Sequence, residues 1–294
     1  MSLAHSSARM NASTEWSTLE VAQVRGRSRL IACKSIQPLK VFNPAAASPA
    51  SHVVLSSYGG GMVAGDAIRL HIAAQPHTQL VVSTQASTKI FRSIDGAVAE
   101  QHTTGDLDEG ALAVVFPDPV VLQAESRYRQ VQEWNLQPTS VLLLVDWFHS
   151  GRMDQGERFA FTSLHSELRV RVGGRLVVLD KFAFTPGENI ATSPANFAGY
   201  QTFFSLFLVG SPEDARFQIL TAMLARQKMP GSLGPHFNIN SQECVVSVTQ
   251  ARDNVWVLRA AAHSRMALQP LCEQILAALA SEELLGYNPL ARKY

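Results

Sequence analysis

Short segments of alternating apolar and polar residues recur along almost the whole chain. Each is closed off by Gly, Pro, Asp or Asn, and this spacing predicts an all-β sandwich, barrel or solenoid. Between residues 19 and 41 the segments LEVAQV and SRLIACKSI flank Arg25-Gly26-Arg27 as in a hairpin. Residues 52–57, 67–73, 79–84, 97–104, 111–116 and 120–123 continue the pattern. The second half adds residues 128–136 and 140–148, a hairpin of 163–172 with 175–184 over Gly173-Gly174, and an aromatic-rich strand at 200–209.

Two helices interrupt the strands. The first is expected over residues 212–227, capped by Ser211, with Pro212 at the first position and Glu213 and Asp214 near the positive end of the dipole. Its stop signal is Pro230-Gly231. The second is expected over residues 264–280, where Leu268, Leu271, Ile275, Leu276 and Leu279 recur at helical spacing. Pro270 fits its first turns if the helix starts near Ala267. Core packing is the expected role of those leucines, with a partner-binding face as the alternative.

At 294 residues and 46% hydrophobic, the chain can bury a core in one domain, or at most two. A net charge of +1 without blocks of like charge points to neither nucleic acid nor an anionic membrane. The longest apolar run, residues 141–145, is strand-sized and far short of the roughly 18 residues that span a bilayer. Residues 1–18 are rich in Ser and Ala and are expected to be a disordered tail, leaving 19–294 as a single β-rich domain. Cys33, Cys244 and Cys272 are far apart and form no C-x-x-C, so neither a disulfide framework nor a thiolate zinc site is indicated. The chain reads as cytoplasmic.

Residues 56–93, SSYGGGMVAGDAIRLHIAAQPHTQLVVSTQASTKIFRS, contain two imitations of phosphate-binding loops. Gly60 to Gly65 has P-loop spacing, but Asp66 and Ala67 follow where Lys and Ser/Thr are needed. Gly59-x-Gly61-x-x-Ala64 imitates a dinucleotide fingerprint, yet a β-like segment follows instead of a helix, and no acid occurs between Asp66 and Asp95. What remains is a glycine turn between strands, with Asp66 bonding the turn backbone.

No nucleophile elbow, H-E-x-x-H or EF-hand loop is present, and the nine histidines are scattered. His71 and His77 are separated by Pro76, and His149 beside Trp147 and Phe148 reads as a structural group. Two carboxylates are more informative. Asp146 interrupts VLLLVDWF and Asp180 ends RLVVLD, and an ionised carboxylate in such surroundings costs several kcal/mol unless partnered. The partner is either an arginine (Arg152, Arg158, Arg169, Arg171 and Arg175 are available) or a polar passage through the core.

SYGGGMVAGD followed by STQASTKIFRS resembles the signature of the urease accessory protein D family, called UreD or UreH. The likeness continues in order through FPDPVVL, SRYRQ, LLLVDWFHSGRMDQGERFAF, LDKFAF and WVLRAAAH. The resemblance implies a mainly β fold, layered or β-helical, with two α-helices in the C-terminal half. It also implies a non-enzymatic maturation factor that helps insert nickel into apo-urease together with UreF and UreG. It implies no tightly bound cofactor, and nickel passing only transiently, through an internal tunnel. On the matching motifs, Asp66, Asp146 and Asp180 are the expected polar or metal-passing positions, and Lys89 and Arg92 are expected to fix their segment or meet a partner. Oxygen or nitrogen ligands suit a Ni²⁺ ion that must be released. The reading of a different class is a β-sandwich hydrolase or small-ligand-binding protein, with Asp146 and Asp180 as paired acids.

Overall fold

A computed structural model describes residues 15–44, 48–191, 193, 197, 199–227 and 242–291. Residues 1–14 of the expected tail and the stop signal at 230–231 lie outside these. The chain opens with a hairpin of β1 (Ser17–Val24) and β2 (Arg27–Lys34), so β1 takes in Ser17 and Thr18. Arg25 and Gly26 both have positive φ, 51° and 74°, as a two-residue loop of this hand requires. β3 (Leu39–Phe42) then pairs antiparallel with β4 (Ser51–Ser57).

From β4 the chain winds as a solenoid. One coil is β4, β5 (Gly61–Met62) and β6 (Ala67–Ala74); the next is β7 (Gln79–Thr84), β8 (Thr88–Ile90) and β9 (Ala99–Leu107). The third is β10 (Leu112–Phe116), β11 (Val120–Leu122) and β12 (Arg127–Leu136), and the fourth begins with β13 (Val141–His149) and ends with β14 (Ser163–Val172). Coils start at Ser51, Gln79, Leu112 and Val141, roughly 30 residues apart, a structural repeat with no repeated sequence. Equivalent strands stack in parallel: β4, β7, β10 and β13 on one face, β6, β9, β12 and β14 on another, and the short β5, β8 and β11 on a third.

Both large sheets are extended by antiparallel strands. β15 (Arg175–Phe184) closes the first, giving the order β15-β14-β12-β9-β6-β1-β2. β16 (Thr202–Val209), β18 (Val255–Ala262) and β17 (Cys244–Arg252) extend the second beyond β13. Helices α1 (Ala215–Ala225) and α2 (Arg265–Leu279) cover its outer face.

The two sheets enclose one core, and the helices form another with the outer face of the second sheet. The run Val141–Val145 is apolar at every position for this reason: Leu142 and Leu144 face the inner core, while Val141, Leu143 and Val145 face the helices. A parallel strand buried on both faces has no reason to alternate. Leu271, Leu276 and Leu279 belong to the helix core, so the packing role holds for them.

Several local expectations shift. β3, β17 and β18 were not expected as strands. α1 is capped by Asp214, which accepts from Arg216 N at 2.8 Å, while Ser211 accepts from Glu213 N in a turn ahead of the helix. α2 starts at Arg265 because the Ser264 hydroxyl caps Ala267 N, which leaves Pro270 inside the helix.

Two glycines are fixed by close approach. A Cβ on Gly61 would stand 2.3 Å from the Lys89 carbonyl oxygen, so the triple glycine lets β5 lie against β8. A Cβ on Gly105 would stand 2.2 Å from the Trp134 ring, which sits opposite it in the β9–β12 ladder.

Candidate functional site: a polar band inside the β sandwich

The inward positions of the strands are apolar except along one band. In β12 the inward side chains are Tyr128, Gln130, Gln132, Trp134 and Leu136, and in β14 Ser166 interrupts Leu164, Leu168 and Val170. On the opposite sheet Asp146, Ser205 and Arg259 are successive ladder partners across β13, β16 and β18, and Ser247 of β17 follows. Gln101, Gln130 and Ser166 are likewise ladder partners across β9, β12 and β14. The fold therefore brings two polar rows face to face.

Asp146 is the centre of this band. Its Oδ2 accepts from Gln130 Nε2 at 2.7 Å and from Ser166 Oγ at 3.1 Å, and Gln130 Nε2 lies 2.9 Å from Ser166 Oγ. The Tyr128 hydroxyl reaches Gln101 Oε1 at 3.1 Å. Asp146 is half-buried and lines two cavities between the sheets. Burial raises its pKa, the bonds from Gln130 and Ser166 lower it, the Asp180 charge raises it and Arg259 lowers it, with a net rise. The Tyr128 hydroxyl is pushed far above its ordinary range by burial and then by Asp146.

Asp180 has an arginine partner, though none of the five expected. Arg259 Nη2 donates to its Oδ1 at 2.6 Å, and Arg259 Nη1 donates to Ser205 Oγ at 3.0 Å. The guanidinium thus spans the two sheets. A cavity of about 490 Å³ lies beside it, walled by Phe148, Phe182, Phe197 and Phe203, with Asp146, Gln130 and Ser166 at its polar end. A smaller space of about 70 Å³ shares Asp146 and Gln130 with the first and continues toward Thr84, Gln101 and Asp118. A third, of about 30 Å³, shares Thr84 and Gln101 with the second and reaches Ser56 and Ser57. Asp146 lines both the 490 Å³ space and the 70 Å³ space.

Asp66 is placed elsewhere. It lies in the turn from β5 to β6, where its Oδ2 accepts from Val63 N at 2.9 Å and Gly65 supplies a φ of 87°. Asp146 lies at the centre of the band and Asp180 at its exposed end, paired with Arg259, and the fold does not bring Asp66 to either. Arg92 is held by Glu125 at 2.7 Å, and Lys89 belongs to β8. His71 Nδ1 lies 2.9 Å from Thr104 Oγ1, and no group of three His, Cys, Asp or Glu suited to a metal occurs among the described residues. Missed from the sequence were Tyr128, Gln130, Ser166, Ser205 and Arg259. The signal for all five was a polar residue at the parity of the core.

His149 takes the structural role. It is 5% exposed, its Nδ1 lies 2.8 Å from Thr202 Oγ1, and burial, then the Arg265 charge, push its pKa down to about 4. The unfolded chain takes up this proton near the ordinary 6.5. Stability is therefore complete above pH 6.5 and is lost as pH falls toward 4, by roughly 3 kcal/mol in all. Urea midpoints measured between pH 7 and 4 are expected to fall in the wild type, and His149→Gln is expected to lose this part of the slope.

A family model described as UreD urease accessory protein matches residues 15–293. The chain belongs to the UreD family. Urease accessory protein UreD of Cytophaga hutchinsonii is 34% identical over 278 residues, covering 94% of this chain and 97% of that one. Urease accessory protein UreD of Sorangium cellulosum is 34% identical over 276 residues, covering 94% and 83%. Urease accessory protein D of Oryza sativa subsp. indica is 29% identical over 233 residues, covering 76% of each. The polar band thus lies inside a UreD fold. No helix among the described residues of this UreD chain is long and apolar enough to cross a membrane.

Proposed function

We propose that this protein is a non-catalytic maturation factor for urease, a scaffold and metallochaperone component that assists nickel insertion into apo-urease with UreF and UreG in the cytoplasm. The observation that carries the reading is the UreD match across residues 15–293. The polar band adds a physical route. Carboxylate, amide and hydroxyl oxygens are exchangeable ligands for Ni²⁺, and a carrier that must release its ion is better served by them than by a thiolate cage. Asp146, which lines both spaces, would meet the ion, with Gln130 and Ser166 as neutral oxygen and nitrogen groups beside it. Asp180 would serve the outer end. Asp66, held in its turn, would act on the β5–β6 surface and not in the band.

Urease purified from cells lacking only this protein, at ordinary nickel supply, is expected to be nickel-poor and inactive, and re-expression is expected to restore both. Fully loaded, active urease would overturn the reading. The hydrolase alternative predicts turnover of an ester, glycoside or amide panel by the purified protein, and a maturation factor predicts none.

A further inference from the structure

The 490 Å³ cavity lies between the end strands of the two sheets, β15 and β17. Phe182 of β15 and Ser247 of β17 are exposed and mark its open side, while Leu164 and Phe204 are buried and mark its inner side. Its walls are aromatic. Phe148 and Phe203 stack with ring centroids 5.1 Å apart, Phe182 lies 5.9 Å from Phe148, and Phe197 lies 5.3 Å from Phe203. Small-molecule sites are apolar spaces of about 300–1,000 Å³ with a few polar groups, and this one fits that description. Its charges say which head it suits. Among the lining residues Asp146 is the one carboxylate and Arg259 the one Lys, Arg or His. Arg259 is paired with Asp180, so those two charges cancel. Asp146 is bonded by the neutral groups Gln130 and Ser166, both at Oδ2, and Oδ1 takes no bond among the described residues. Burial outweighs these bonds and raises its pKa, as expected of a carboxylate short of positive charge.

We propose that this cavity binds a protonated amine with an aryl or alkyl body, its ammonium head at Asp146 and its body among the phenylalanines. An ammonium group offers donors alone, which suits a carboxylate with acceptor capacity to spare. Its charge makes that hydrogen bond stronger than a neutral head could. The ring faces attract cations as well, so the charged end of the ligand can lie against the aromatic wall. A carboxylate head would meet Asp146 with the same sign, and Arg259 could answer it only by leaving Asp180. A hydroxyl head keeps the apolar contact and loses the charge. The expected order of affinity is therefore ammonium, hydroxyl, carboxylate. An occupant there covers the carboxylate that the maturation reading gives to nickel, so ion and amine are alternatives at Asp146.

The test is calorimetric titration of the purified full chain near neutral pH with phenylbutylamine, phenylbutanol and phenylbutyrate, which share one body and differ in the head. The amine is expected to bind roughly ten-fold more tightly than the alcohol, and the carboxylate most weakly. Asp146→Asn is expected to bring the amine down to the affinity of the alcohol, while the alcohol keeps its own. Ala261 lines the cavity as the ladder neighbour of Phe203, and Ala261→Phe, with its fold checked by circular dichroism, is expected to abolish binding of all three. Equal affinity for amine and alcohol in wild type would overturn the proposal, and so would a wild type that does not bind the amine. An amine preference that survives Asp146→Asn puts the head elsewhere, and amine binding that survives Ala261→Phe puts the body outside the cavity; either result sinks it. The wild-type ranking needs no variant, so it still decides if Asp146→Asn does not fold. These titrations use neither metal nor urease, so their failure leaves the maturation reading standing. Fully loaded urease in cells lacking the protein removes that reading and leaves the amine site untouched.

Discussion

Gly105→Ala is expected to destabilise the protein by about 3 kcal/mol or more, enough to leave much of the chain unfolded or insoluble at growth temperature. The added Cβ would stand 2.2 Å from two atoms of the Trp134 ring, and Trp134 has no exposed surface through which to retreat. The clash is imposed by the ladder, where Gly105 lies between Ile72 and Trp134, so neither side chain can move without shifting a strand. Gly65→Ala is the informative contrast. Its Cβ would meet nothing within 4 Å, and only the φ of 87° opposes it, so its cost is expected near 1–2 kcal/mol. Urea midpoints of the two variants check the difference. A Trp134→Leu background is expected to remove most of the Gly105→Ala cost, because the ring is what the methyl meets. A Gly105→Ala protein as stable as wild type would contradict the packing described for the inner core.

Asp146→Asn is expected to lower urease activation roughly 10- to 100-fold while leaving the fold intact, the range found when groups that tune a metal site are removed. The amide keeps the volume and keeps an oxygen to accept from Gln130 and Ser166. It cannot become an anion. The sign of the stability effect follows from the raised carboxyl pKa. A carboxylate that resists ionisation in the fold costs stability as pH rises through its folded value, and Asn removes that cost. Asp146→Asn should therefore be at least as stable as wild type at neutral pH, and its stability should fall less as pH rises above the acid range. Specific activity and nickel per active site of co-expressed urease, with thermal melts of the variant, check both parts. Normal activation would remove Asp146 from the route. Asp66→Ala is different in kind, since it removes one turn hydrogen bond worth about 1 kcal/mol.

Much of the fold was legible because β structure writes a period of two into the sequence. The hairpins over Arg25-Gly26 and Gly173-Gly174 could be placed from turn chemistry, since only a few residues accept the backbone angles such loops need. The stretch from Gly59 to Asp66 could be freed of its nucleotide imitations because a phosphate site needs a helix and a lysine that are not there. Asp146 and Asp180 could be singled out as carboxylates in apolar strands, because burying charge is expensive wherever the strand ends up. The sequence by itself thus determined most of the longer strands and most turns, and singled out the two acids.

What tertiary structure decided is everything that depends on register between segments distant in the chain. The solenoid has no repeated sequence to reveal it, because each coil is held by backbone ladders that any alternating side chains can satisfy. Arg259 is 79 residues from Asp180, and nothing local to WVLRAAA announces which carboxylate it will meet. Gln130 and Ser166, 36 residues apart, become partners of Asp146 only when β12 and β14 lie side by side and face β13. Strands β17 and β18 were missed because helix-covered strands at a sheet's end show weak alternation, with partly buried residues on both faces. A residue's parity along its strand is fixed locally, so the sequence could say which side chains point inward. Which inward side chains face one another depends on long-range pairing, and only the folded chain carries that information.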